Sequence, residues 1–87
     1  MPRMIVIHTV EDFNKWKTVF DGQHALRGQF GCTLEEVYQQ HQKPNEVLIV
    51  THWGTREQAG NYGQSRELSD AMQRGGVLGA PSVHFAD

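Results

Sequence analysis

The chain has 87 residues and a formal net charge of −2, and its eight Lys and Arg residues are scattered along the sequence. A single domain is expected over residues 1–87, and the lack of a concentrated positive charge argues against a nucleic-acid partner. One cysteine cannot form an internal disulfide or a paired-cysteine metal motif, and no apolar run approaches the roughly 20 residues of a membrane span, so we expect a cytoplasmic protein with no membrane partner. A domain of this size buries only about 60 to 65% of the surface that its unfolded chain exposes, which favours a second copy as a supplement to the core.

The first two elements in chain order are a strand and a long helix. Residues 3–9 form a short β-branched run of strand length. Residues 9–31 have the clearest helical period, with Thr9 as the predicted N-cap and Gly31 as the predicted C-cap. At about 100° per residue, one broad stripe of this helix contains Phe13, Trp16, Val19, Phe20, Leu26 and Phe30.

The second half of this stripe is polar. Gln23 and Arg27 fall in its middle, and His24 falls at its edge. A stripe that begins with aromatic rings and ends with polar side chains predicts a helix whose first half packs on the core and whose second half borders a cavity.

The middle of the chain predicts a hairpin. Residues 32–41 are mostly polar and extended, which is typical of an edge strand with one wet face. Residues 42–45, Gln-Lys-Pro-Asn, form a turn. Residues 46–53 are the most apolar segment and predict a central strand that is buried on both faces.

Short helices and a last strand complete the chain. Thr55 and Gln58 form a capping-box pattern at the start of a helix, and Ser65 can cap a second helix. Residues 75–81 are rich in glycine and predict a loop, and residues 81–86 predict the final strand after its proline.

The resulting element order is β-α-β-β-α-β, the α+β, ferredoxin-like arrangement with a four-stranded antiparallel sheet. In its usual strand order, 4-1-3-2, the first strand lies between the third and the fourth. His8 is then expected beside the start of the fourth strand, near His84, and His52 is expected toward the opposite end of the sheet.

Four segments of the sequence carry a family resemblance that spans nearly the whole chain. They are the opening DFNKWKTVFD at residues 12–21, the pair His24 and Arg27, the strand PNEVLIVTHW that ends at Trp53, and the helix ELSDAM at residues 67–72. The chain resembles the dimeric α/β-barrel superfamily and, within it, the small antibiotic biosynthesis monooxygenase and polyketide cyclase-like proteins. The resemblance implies a homodimer in which two ferredoxin-like protomers pack sheet on sheet as a dimeric α/β barrel, with a pocket between each sheet and its own helices.

Members of this superfamily include cofactor-independent oxygenases, cyclases, isomerases, haem-degrading enzymes and proteins of no known activity. The proximal histidine of the haem-degrading members falls on Met72 in this sequence, and their pocket tryptophan falls on Tyr62. The resemblance therefore implies chemistry without haem, and no cofactor or metal is expected.

Histidine is the candidate general base, because its free pKa lies nearest neutrality. Of the five histidines, His8 and His24 are best placed to remove a proton from a phenol or an activated methylene. The alternative is that each imidazole is half-buried and caps a backbone group. His8 and His84, together with a nearby acid, also allow the metal site of a lyase or isomerase.

Arg27 is the third candidate catalytic residue, because an arginine on an apolar face is seldom buried without a partner. It is a candidate clamp for charge that develops on a substrate oxygen, assisted by Gln23. The alternative is an ion pair with Glu35, Glu36 or a subunit partner. The other candidate substrate contacts are Trp16, Phe20, Trp53, Tyr62, Met72 and His84. The alternative is that these side chains belong to the core or make ordinary polar contacts.

These observations favour a cofactor-independent enzyme that acts on an aromatic or polyketide-like small molecule by proton abstraction, as a monooxygenase or a cyclase. Two other functions stay open. One is a non-catalytic small-molecule-binding or dimerisation module, and the other is a metal-dependent lyase or isomerase. No motif of the sequence encodes the substrate or the choice between oxygenation and cyclisation.

Overall fold

Four antiparallel strands form one open sheet in the computed structural model, which describes residues 1–87. The strands are β1 (Arg3–Val10), β2 (Cys32–Gln39), β3 (Glu46–Trp53) and β4 (Val77–Ala86). Their order in the sheet is β2-β3-β1-β4. The ferredoxin-like α+β fold is confirmed, and β1 lies between β3 and β4 as the sequence predicts.

Four short helices cover one face of this sheet. They are α1 (Phe13–Gly22), α2 (His24–Phe30), α3 (Arg56–Gly63) and α4 (Arg66–Arg74). The predicted capping box of Thr55 and Gln58 opens α3, and the predicted cap Ser65 opens α4. None of the helices has the length and apolar character that crossing a membrane requires.

The first helical region differs from the continuous helix that the sequence predicts. Because β1 continues through Val10, the predicted N-cap Thr9 lies in a strand, and Asp12 caps α1 instead by accepting hydrogen bonds from two backbone N–H groups of the first turn. The chain then leaves helical geometry at Gln23, with φ −96° and ψ 5°, which separates α1 from α2. Gly31 ends α2 as predicted, with a left-handed φ of 110° that favours glycine.

The last strand is longer than predicted, because β4 begins at Val77 and not at the proline. Its first residue pairs with Val10 at the end of β1, which turns the expected loop into a strand. Gly79 then adopts a left-handed φ of 69° within a bulge, and regular pairing with β1 resumes at Ser82. The bulge changes which residues of β4 lie opposite each residue of β1.

The sheet face that contacts the helices carries a core with two parts. The Trp53 cluster consists of Met4, Trp53, Ala59 and Tyr62. The Trp16 cluster consists of Val10, Trp16, Val47 and Ile49. Val6 of β1 packs against both clusters and therefore lies at the junction between them.

The opposite face of the sheet, here called the outer face, presents apolar side chains to solvent. Leu34 and Tyr38 of β2 and Leu78 of β4 are about half exposed. The outward residues of β3 are only partly buried, so the predicted burial of β3 on both faces is not reached within one chain. These side chains leave apolar surface on the outer face in contact with solvent.

Candidate functional site

A cavity of about 120 Å³ lies between the helix-covered face of the sheet and the helices. Members of both core clusters border it, so it occupies the space where the two clusters meet. Most of its wall is apolar, and that part includes Met4, Val6, Val19, Ile49, Leu68 and Ala71.

The volume of this cavity sets the scale of what it can hold. An apolar cavity of about 150 Å³ binds benzene, whereas sites for drug-sized ligands usually measure about 300 to 1,000 Å³. At about 120 Å³, the cavity matches one ring and not a fused system of several rings.

His8 is the most unusual polar residue of the cavity wall. It lies on the covered face of β1, it is 6% exposed, and neither Nδ1 nor Nε2 has a hydrogen-bond partner in the protein. Burial lowers its pKa from 6.5 to about 4, because water no longer solvates the charged form. At neutral pH the ring is therefore uncharged, with one N–H donor and one nitrogen acceptor free.

A wall of aromatic rings runs from His8 along α1. The edge of the His8 ring meets Trp16 at a centroid distance of 5.5 Å and an interplanar angle of 82°. Trp16 stacks on Phe20 at 5.0 Å, and the guanidinium carbon of Arg27 lies 3.7 Å from the centroid of the Phe20 ring. The wall therefore has an imidazole at one end and a guanidinium at the other.

Arg27 points into the fold, as the sequence predicts, and is only 2% exposed. Its Nε and Nη2 atoms bind the carboxylate of Glu35, and Nη2 also donates to the carbonyl of Phe20 at 2.8 Å. Of the two interpretations of Arg27 from the sequence, the structure therefore shows the ion pair with Glu35. Its positive charge is compensated within the chain and is not left free for an anion.

Tyr62 and Thr51 complete the polar part of the lining with Gln23. Burial raises the pKa of the Tyr62 phenol, and the nearby positive charge of Arg27 opposes that rise. The Thr51 hydroxyl donates to the carbonyl of Met4 at 3.2 Å and accepts the indole N–H of Trp53 at 2.9 Å. Thr51 is thus satisfied by the protein, which leaves His8 as the polar lining residue with buried, unpaired atoms.

The structure brings most of the predicted site residues together at this cavity. Their roles in binding or catalysis remain predictions. Those that line the cavity are His8, Trp16, Phe20, Gln23, Arg27, Tyr62 and Met72.

His24 does not reach the cavity, and its predicted position there is wrong. Its side chain is 78% exposed, and its Nδ1 meets the carboxylate of Glu35 in a groove outside the cavity. His24 begins α2 directly after the break at Gln23 and was expected only at the edge of the stripe, whereas Arg27, in the middle of the stripe, points inward. Glu35 therefore joins two of the predicted residues, Arg27 inside and His24 outside.

Trp53 and His84 are the two predicted substrate contacts that lie elsewhere. Trp53 is fully buried in its own cluster, against Tyr62, and does not line the cavity. His84 lies on the outer face opposite Ile5, exposed and hydrogen-bonded to Ser82 at 2.7 Å. The bulge in β4 and the strict alternation of side chains explain why His84 is not beside His8.

The alternative metal site of His8, His84 and an acid is not formed. The two imidazoles lie on opposite faces of the sheet, and His8 has no partner on β4. No group of three His, Cys, Asp or Glu side chains in the protein is arranged to hold a metal ion. His52 does lie toward the opposite end of the sheet, as predicted, and pairs there with Arg3.

Sequence reasoning missed Thr51 as part of the cavity wall. A signal was present, because Thr51 is the one polar residue among the alternate positions Val47, Ile49 and Trp53 that face the helices. A polar residue in such a position usually has a specific hydrogen-bond partner.

Comparisons with known structures agree with this architecture. A candidate antibiotic biosynthesis monooxygenase from Bordetella bronchiseptica superposes with a TM-score of 0.81 at 15% identity, covering 99% of this chain and 94% of that one. SnoaB, a cofactor-independent oxygenase from Streptomyces nogalater, gives 0.76 at 11% identity, covering 99% and 92%. A conserved protein from Methanosarcina mazei Go1 gives 0.76 at 12% identity, covering 98% and 89%.

No family model matches this sequence, and no curated protein matches it significantly. At 11 to 15% identity the structural likeness establishes the fold. The resemblance to antibiotic biosynthesis monooxygenase-like proteins that the sequence motifs suggested is confirmed at that level.

Proposed function

We propose that the protein is an enzyme that binds an apolar aromatic or polyketide-like molecule and removes a proton from it, as a cofactor-independent monooxygenase or cyclase does. One observation carries the proposal: His8 places a neutral imidazole with two unpaired nitrogens at an otherwise apolar cavity. The fold shared with SnoaB, a cofactor-independent oxygenase, supports the reaction class.

The chemistry begins at the unprotonated nitrogen of His8. This nitrogen accepts a proton from an activated methylene or a hydroxyl of the substrate, which leaves an electron-rich carbanion or enolate. In oxygenation, a methylene and O2 give a carbonyl and one water, so the four electrons that reduce O2 come from the substrate itself. In cyclisation the same enolate attacks a carbonyl of the substrate, and no oxidant is consumed.

The far end of the cavity stabilises the developing negative charge. Gln23, the Tyr62 phenol and the Arg27 guanidinium are the polar groups near that end. Because Arg27 is paired with Glu35, it contributes oriented N–H dipoles rather than a net charge.

The proposed assembly is a homodimer that pairs the outer faces of two sheets. Exposed Leu34, Tyr38 and Leu78 support it, since burying such side chains would add the core that a domain of this size lacks. We expect Leu34→Lys to shift the protein from dimer to monomer in light scattering, whereas Gln73→Lys on the exposed side of α4 leaves the dimer intact. A wild-type monomer at high concentration would contradict the proposed dimer.

A non-catalytic binding protein is the second candidate function. The lowered pKa of His8, about 4, favours it, because a weaker base removes protons less effectively at neutral pH. In this case the same imidazole would only hold a hydroxyl or carbonyl group by a hydrogen bond.

Hydrogen–deuterium exchange distinguishes these functions without fixing the final product. In D2O, the protein should accelerate exchange at the activated methylene of phenylacetone or 2-tetralone, followed by NMR. His8→Leu should reduce the acceleration at least about a hundredfold, and His24→Ala should leave it unchanged because His24 lies outside the cavity. Binding of phenylacetone without exchange would exclude proton abstraction and favour the binding protein.

A further inference from the structure

We infer that the ligand of this cavity is an uncharged single-ring compound with a hydroxyl or carbonyl oxygen that bonds to His8 while its ring lies against Trp16 and Phe20. The inference rests on the proposed function in using the same cavity, and it narrows the ligand class beyond the aromatic or polyketide-like molecules named there.

The size limit follows from the space between the sheet and the helices. The cavity of about 120 Å³ is slightly smaller than the roughly 150 Å³ that accommodates benzene in an apolar protein interior. Its walls come from both core clusters, including the fully packed inner residues of β1 and β3. A fused two-ring ligand exceeds this volume, so its second ring would either displace close-packed residues, which protein interiors resist, or lie outside the cavity beside exposed Val83.

The charge limit follows from the polar groups of the lining. Arg27 is the one charged side chain there, and Glu35 together with the Phe20 carbonyl already occupies its Nε and Nη2 donors. The burial of His8 disfavours its cationic form. An anionic ligand would therefore lose its hydration without meeting a free positive charge, which is strongly unfavourable.

The position of this oxygen follows from which buried polar atoms lack partners. The hydroxyl of Thr51 donates to the carbonyl of Met4 and accepts the indole N–H of Trp53. Both ring nitrogens of His8 are buried and unpaired. A ligand hydroxyl can donate to the acceptor nitrogen, or a ligand carbonyl can accept from the N–H, and either bond satisfies an atom that otherwise stays unpaired.

The orientation follows from the aromatic wall. Trp16 lies next to His8 and stacks on Phe20 at 5.0 Å, so a ligand ring against Trp16 lies beside the imidazole. Aromatic rings favour offset or edge contacts with one another over a face-to-face sandwich.

Binding of four small probes to the full-length protein at pH 7 tests the inference by titration calorimetry. Phenol represents the inferred class, toluene lacks the oxygen, benzoate adds a charge, and 1-naphthol adds a ring. We expect phenol to bind about tenfold more tightly than toluene, the equivalent of one hydrogen bond, and more tightly than benzoate and 1-naphthol.

Two variants connect this preference to His8. In His8→Leu, phenol and toluene should bind with about equal affinity. In the matched control His41→Leu, on the exposed turn, the preference for phenol should be unchanged. If His8→Leu does not fold, a phenol-dependent shift of the His8 ring nitrogens in the wild-type NMR spectrum serves as the second measurement.

Several results would overturn the inference. They are tighter binding of benzoate or 1-naphthol than of phenol, a phenol preference that survives in His8→Leu, or unperturbed His8 nitrogens when phenol is bound. Naphthol preference together with methylene exchange on 2-tetralone would reject the single-ring class but leave the proposed enzyme standing. Preference for phenol without any methylene exchange would support the single-ring class but reject the proposed enzyme.

Discussion

The two core clusters have similar compositions, but they differ in whether the polar atoms beside them have hydrogen-bond partners. Each contains one tryptophan and residues of β1 and β3. In the Trp53 cluster the indole N–H bonds to Thr51, whose hydroxyl bonds to the backbone of β1. Beside the Trp16 cluster, His8 keeps two buried nitrogens without partners. The polar atoms at the Trp53 cluster are therefore paired within the protein, whereas those beside the Trp16 cluster are not.

The unpaired nitrogens of His8 should lower the stability of a domain of this size. A buried polar group without a partner destabilises a fold by about 1 to 3 kcal/mol, and a domain with a net stability of about 5 to 15 kcal/mol retains such a group only with difficulty. The ligand that we propose would supply the missing hydrogen-bond partner of His8.

The largest effect is expected from Trp53→Ala. Removing a fully buried indole from the Trp53 cluster should lower the free energy of unfolding by about 3 to 5 kcal/mol, through lost apolar contacts and a new cavity. Urea denaturation followed by circular dichroism measures this. Trp16→Ala should cost less, since Trp16 already borders open space, and the opposite ranking would contradict the contrast.

The next effect concerns the buried ion pair at the end of the aromatic wall. Arg27→Met leaves the Glu35 carboxylate, whose side chain is 12% exposed, without its main partner, and should cost about 3 kcal/mol in the same denaturation assay. The double variant Arg27→Met with Glu35→Leu removes both charges and should recover most of that loss. If the double variant is no more stable than the single one, the pair does not act as a unit.

Acid should destabilise the protein through His8. Its pKa is about 4 in the folded state and 6.5 in the ordinary state, so below pH 6.5 the unfolded chain takes up a proton that the folded chain does not. The resulting contribution to the free energy of unfolding is present in full above pH 6.5. It is lost as the pH falls, and the loss reaches about 3 kcal/mol at pH 4. The free energy of unfolding of His8→Leu should fall less over this pH range than that of the wild type. Equal losses in the two proteins would rule out the burial of an unpaired imidazole.

A smaller effect of opposite sign is expected at neutral pH. His8→Leu keeps a similar volume and removes two unpaired polar atoms, so it should stabilise the fold by about 1 to 2 kcal/mol while it abolishes the preference for an oxygen-bearing ligand. Thermal unfolding with and without phenol measures both changes. A destabilised variant would mean that His8 has an internal partner.

Much of this molecule could be predicted from its sequence where a local signal determines the outcome. The apolar run at residues 46–53 predicted the bounds of β3, and the capping residues Thr55 and Ser65 predicted the starts of α3 and α4. The stripe along residues 9–31 correctly indicated that Gln23 and Arg27 turn inward. These features depend on neighbouring residues alone.

The remaining features depend on contacts that the sequence does not display. His24 follows a break in the helix at Gln23 and points to solvent, and His84 reaches the outer face because β4 pairs with β1 through a bulge. Several acids were possible partners of Arg27 from the sequence. The register of β2 places Glu35 next to it. Helix breaks and bulges are tertiary adjustments, and periodicity cannot foresee them.

The most direct test of the account is the protonation state of His8, measured by NMR of its ring nitrogens from pH 3.5 to 8. The His8 signals are those missing in His8→Leu. We predict a neutral ring that titrates near pH 4 and whose acceptor nitrogen shifts when phenol binds at pH 7. A ring that titrates near 6.5, or that ignores phenol while phenol binds, would contradict the claim that His8 is a buried, unpaired group kept for a ligand.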